Sequence, residues 1–134
     1  MKANTAIRES VAALVHTLQP ELVTVFDTYP TGIDSDSELP AAAVWFDDGQ
    51  TDSEFIDMAK PCSAPLTVGV YVRASQSDSD LDRLAEPIWR GLDDADVGVD
   101  VSLSYSGFGY DRDPDSTWRV LRLLFICNYN LEIV

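Results

Sequence analysis

At 134 residues, 46% of them hydrophobic, the chain has the size of one domain with a single core and too much apolar content for a disordered segment. Nine Lys plus Arg against 23 Asp plus Glu leave a formal net charge of −14. Such a surface repels nucleic acid, because DNA affinity rests on Lys and Arg neutralising phosphates.

Seven of the nine basic residues are Arg, and the only lysines are Lys2 and Lys60. Acid-rich, Lys-poor composition fits a protein adapted to high salt, through the charge logic of halophiles. A GC-rich genome alone would also favour Arg over Lys and Asp over Asn. Apolar runs such as Leu123 to Cys127 are far too short to span a bilayer. Ala3 to Ser10 has no apolar signal-peptide core, so the expected site of folding is the cytoplasm.

From Asn4 to Gln19 the apolar positions Ile7, Val11, Leu14, Val15 and Leu18 predict one helical stripe. Asn4 or Thr5 is available as N-cap and Pro20 as the stop, and His16 falls off the stripe. Leu22 to Phe26 is short and β-branched and predicts the first strand. Asp27 to Pro40 reads as loop, and Ala41 to Phe46 (AAAVWF) as a buried strand. The acidic stretch Asp47 to Pro61 has no sustained period and is long for a connection. Leu66 to Arg73 (LTVGVYVR) alternates cleanly as a third strand. Ser77 to Asp94 predicts a second helix with the stripe Leu81, Leu84, Ala85, Ile88 and Leu92, opened by Ser79 and Asp82 in a capping-box pattern. Pro87 falls inside it, where it should remove one hydrogen bond. Val99 to Tyr105 alternates again, SGFGYDRDPDST reads as a turn, and Trp118 to Glu132 is a long final strand, apolar on both faces and hence central. The fold class is α/β (α+β): one domain over residues 1–134, a mixed or antiparallel sheet of about five strands with two helices packed on it, in the order α-β-β-β-α-β-β.

Catalytic chemistry finds little to stand on. SGFGY joins two strands instead of opening a helix, so it lacks the N–H cradle of a phosphate loop. A Ser–His–Asp triad would have only His16 to draw on. Cys62 and Cys127 belong to no CxxC pair, so no usual zinc set can be assembled, and Cys127 reads as a buried free thiol. Asp111, Asp113 and Asp115 share one turn, and grouped carboxylates do serve two-metal hydrolases. That alternative lacks a basic surface to hold its substrate, and the turn lacks the spacing and terminal Glu of an EF-hand loop. No cofactor or metal is expected.

Aromatic residues beside charged loops are the more telling feature. Trp45 continues an apolar strand and is expected in the core. Phe55 and Ile56 lie within the acidic loop that begins at Asp47 and Asp48, and apolar side chains there are expected to bury against a partner. Tyr110, Asp111, Arg112 and Asp113 form the second expected interface segment.

Over nearly its whole length the chain resembles the lambda-type minor tail protein U family, the tail terminators of long-tailed phages. The resemblance is carried by IRESVAALVHTL leading to VFDTYP, by ELPAAAVWFDDGQ, by LTVGVYVRASQSDSDLDRLAEPIW, and by SGFGYDRDPDSTW before the terminal strand. It implies a structural virion protein without catalytic residues, located in the tail or neck and assembled in the host cytoplasm. It further implies a homo-hexameric ring that caps the major tail tube protein, stops polymerisation and offers a surface to the head–tail connector, while DNA passes through without sequence-specific binding. A neck or head-completion adaptor is the neighbouring alternative. Neither role involves a membrane.

Overall fold

A computed structural model describes residues 1–51, 61–112 and 115–131. The first apolar stripe forms helix α1 (Lys2–Leu18), which buries Ile7, Val11 and Val15 and leaves Leu14 and Leu18 half-buried. The helix starts earlier than expected. Met1 stands at the N-cap without a side-chain hydrogen bond. Asn4 is occupied elsewhere: its Oδ1 accepts a 2.6 Å hydrogen bond from the Tyr129 hydroxyl, tying the start of the chain to the last strand. His16 is exposed, as its place off the stripe requires.

Strand β1 (Thr24–Phe26) is shorter than expected, and β2 (Ala41–Phe46) matches its expected bounds. The next segment differs from a plain loop. Gln50–Thr51 forms a short strand β3, and β4 (Pro61–Arg73) begins five residues before Leu66. Pro61 and Pro65 disguise this extension, since proline gives no ladder N–H and reads as a breaker. Pairing overrides the local signal: β4 runs antiparallel to the final strand β6 (Trp118–Asn130) from Pro61 opposite Asn130 to Arg73 opposite Trp118.

Helix α2 (Asp78–Leu92) buries the expected stripe of Leu81, Leu84, Ala85, Ile88 and Leu92. Its start is two residues earlier than Ser79. The Ser–x–x–Asp pattern occurs twice here, and the first copy caps: Ser77 Oγ accepts from Asp80 N at 3.4 Å, and Asp80 Oδ2 accepts from Ser77 N at 2.9 Å. The bond from the Ser77 backbone foremost, and a second from the Ser77 hydroxyl to Asp80 Oδ2 at 3.1 Å, hold the Asp80 carboxyl below its ordinary value of 3.8. A depressed acid stabilises the fold above its ordinary pKa and loses that contribution as pH falls through the lowered value. Ser77→Ala is therefore expected to cost about 1 kcal/mol in urea unfolding at neutral pH, with the difference from the parent narrowing on acidification below pH 4. Pro87 sits within the helix and cannot donate to Arg83. One residue along, the Leu84 carbonyl takes a buried 3.2 Å hydrogen bond from Gln19 Nε2, which ties the end of α1 to α2.

The largest difference concerns β5 (Ser102–Asp111). Its expected start, Val99, is 79% exposed and precedes a left-handed Asp100. The expected turn residues Ser106 to Asp111 are strand. A β-bulge between Tyr105 and Gly107 shifts the register against β6, so Tyr105 faces Phe125 and Gly107 faces Leu124. Gly109 marks a close approach of a side chain, for a Cβ there would lie 2.7 Å from Arg122 Nη2.

These strands form one mixed sheet in the order β1-β2-β4-β6-β5, with β3 added beside β4 and β1 parallel to β2. The final strand is interior, as its two apolar faces predicted, while β5 forms an outer edge. Both helices cover one face, over a core that includes Leu66, Val68, Val70, Leu123 and Phe125. Cys62 and Cys127 are buried there as free thiols, and burial pushes Cys127 up to about 12. The opposite face carries a smaller apolar cluster under the 27–40 segment, built on Ile33, Leu39, Ala41, Ala43, Tyr71 and Val120. Among the described residues no helix is long and apolar enough to cross a membrane.

Candidate assembly surfaces

The expected interface residues do not form one patch. Asp48 is exposed just past β2, whose last residue Phe46 pairs with Leu66. Tyr110, Asp111 and Arg112 lie at the other end of the sheet, where Asp111 opposes Val120 and Val120 opposes Tyr71. Phe55, Ile56 and Asp113 lie outside the described residues. Tyr110 to Arg112 are drawn together by ionic and aromatic contacts. The Tyr110 hydroxyl donates to Asp82 on α2, and that carboxylate holds the phenol up at about 12. Asp111 Oδ1 accepts from Arg122 Nε at 3.1 Å. Arg112 reaches Asp78 at 2.8 Å with its guanidinium 5.2 Å from the Tyr110 ring centre. Among the described residues, no group of three or more His, Cys, Asp or Glu is placed to hold a metal ion.

Two grooves give this end of the molecule its relief. On the helix-free face, a cleft of about 570 Å³ is lined by Tyr29, Trp45, Tyr71 and Trp118, with the Arg122–Asp111 pair at its side. Trp45 is half-buried at the margin of the second cluster. Its ring meets Tyr29 edge-on at 5.0 Å, and a Cβ on Gly69 would lie 3.0 Å from it. Burial pushes the Tyr71 phenol up to about 12.

The second groove, about 330 Å³, runs between α2 and β5. Trp89 stacks on Tyr105 at 5.0 Å, and Phe108 meets Tyr110 edge-on at 5.7 Å. Phe108 is 62% exposed. Along the rim stand Asp82 and Glu86, with Asp78 one turn earlier on the same helical row. Glu86 accepts from Trp89 Nε1 at 3.0 Å and pairs with Arg90, whose guanidinium lies 4.6 Å from the Trp89 ring centre. Trp89, Tyr105 and Asp82 were not among the expected interface residues, and Asp82 read instead as half of a capping box. The visible signal was the i, i+4 spacing of Asp78, Asp82 and Glu86, but only the strand assignment of Ser106 to Asp111 puts Phe108 and Tyr110 beside it.

Comparison with known proteins agrees with this architecture. A chain from the virion of a native gene transfer agent particle superposes with a TM-score of 0.60 at 14% identity, covering 95% of this chain and 93% of that one. That likeness is one of fold. A search of the curated proteins gave no match. The family model for phage minor tail protein U matches residues 2–129, nearly the full chain. With α1, the whole sheet and α2 all inside the matched span, the chain belongs to the phage minor tail protein U family, structural proteins of the virion in its tail or neck.

Proposed function

We propose that this chain is a tail terminator: a non-catalytic subunit of a hexameric ring that caps the tail tube, stops its polymerisation and offers the surface to which the head connector binds. The observation that carries this reading is the family match over residues 2–129. The form of the molecule is in keeping with it. A closed ring needs two different patches on each subunit, and the sheet has two unlike ends and two unlike faces, one covered by helices and one bearing an aromatic cleft. The net charge of −14 suits a ring through which DNA passes without adhering. The same charge sets copies against each other, so salt or divalent cations should favour assembly by screening.

The test is the mass of the purified protein by light scattering from low to multimolar salt, with and without tail tubes. The expected result is a discrete species near six subunits, promoted by salt or by tubes. A monomer under every condition would overturn the ring reading and favour a neck adaptor. Ring formation indifferent to ionic strength would remove the screening argument while leaving the ring.

A further inference from the structure

We propose that the groove between α2 and β5 binds an extended, basic segment of a different protein, which adds along the outer edge of β5 and places an aliphatic side chain against Phe108 and a Lys or Arg beside Asp82. Three features converge on this. The first is the sheet edge. β5 ends the strand order, so one side of its backbone faces away from the sheet. At its beginning that side is already taken: Asp94 N donates to the Leu103 carbonyl at 2.9 Å, and Asp93 Oδ1 accepts from Tyr105 N at 3.0 Å. Past the bulge, among the described residues, no group from outside the sheet reaches the backbone of Phe108 or Tyr110. An extended peptide gains affinity by pairing with such an edge and specificity from pockets for alternate side chains.

The second feature is the apolar floor. Phe108, Tyr110, Tyr105 and Trp89 stand together beside that free half of the edge, and Phe108 is 62% exposed. The third is charge. From Ser77 to Asp96 the chain carries seven carboxylates and two arginines, a balance of −5 along the segment that Arg112 and Arg119, both paired with Asp78, offset only in part. Two of the four rings already bear cations from this chain, Arg90 over Trp89 and Arg112 over Tyr110. Asp82 receives only the Tyr110 hydroxyl among the described residues. Aromatic faces beside a carboxylate are the natural seat of a guanidinium or ammonium group. A second copy of this chain is a poor occupant of this groove, because its only cations are nine Lys and Arg against 23 carboxylates, and it has few to bring to an acidic rim.

The test needs neither tubes nor rings. The full chain, labelled with nitrogen-15, is titrated at low salt with an amidated seven-residue peptide alternating arginine and leucine. Expected are saturable shifts centred on the Phe108 and Tyr110 amides. Phe108→Ser should weaken binding about tenfold or more, while circular dichroism shows the fold retained, as its exposure predicts. A peptide alternating arginine and serine should bind about tenfold more weakly than the leucine peptide. Absence of binding, shifts centred elsewhere, or indifference to Phe108→Ser would overturn the proposal. So would a loss of oligomer mass in Phe108→Ser protein alone, since the groove would then be a contact between copies. A monomeric protein that binds the peptide at β5 would support this proposal while counting against the ring.

Discussion

Phe125→Ala is expected to destabilise the fold by about 3–5 kcal/mol, which for a domain holding roughly 5–15 kcal/mol in total is a fifth of its stability or more. Phe125 is fully buried on β6, the interior strand between β4 and β5. It faces Leu66 on one side and Tyr105 on the other, with its ring 5.5 Å from that of Tyr105. Both helices close over this face. Removing the ring leaves a cavity in the fully buried helix-side core, where the neighbouring strands and helices limit any collapse. The control lies one residue away. Ile126 points to the other face and is 37% exposed, so Ile126→Ala should change stability by less than about 1 kcal/mol. Urea midpoints for the two variants decide the matter, and equal effects would contradict the assignment of faces.

Gly69→Val is expected to cost about 1–3 kcal/mol through overpacking, and its effect should be local. Gly69 is the floor on which Trp45 rests: a Cβ would lie 3.0 Å from two atoms of that ring and 3.0 Å from Tyr71. The indole cannot move aside without breaking its edge-on contact with Tyr29. The apolar layer under the 27–40 segment is small, so it has little other burial to hold it. Hydrogen exchange should therefore rise around Ile33 and Leu39 while amides of the helix-side core, such as Val70 and Leu123, keep their protection. Uniform loss of protection across both faces would show that the second layer is not a separable unit.

Much of the architecture was legible in the residues. The stripes of α1 and α2 rest on a 3.6-residue period that no tertiary contact needs to supply, and every buried residue expected in α2 is buried. β2 likewise announces itself by a continuous apolar run, and β6 by apolar residues on both faces.

Other features depended on pairing, which is non-local. Residues Pro61 to Pro65 and Ser106 to Asp111 look like loop by their Pro, Gly and Ser content, and they become strand because β6 is long enough to pair with both β4 and β5 along their lengths. The choice between two equivalent Ser–x–x–Asp caps was likewise left to the fold. Charge, size and the two helical stripes were thus settled by the sequence itself, because each is a sum or a period over neighbouring residues. Where the aromatic residues gather was decided by the tertiary structure: a one-residue bulge after Tyr105 sets the register that carries Phe108 and Tyr110 to the side of α2, and no count of local residues contains it.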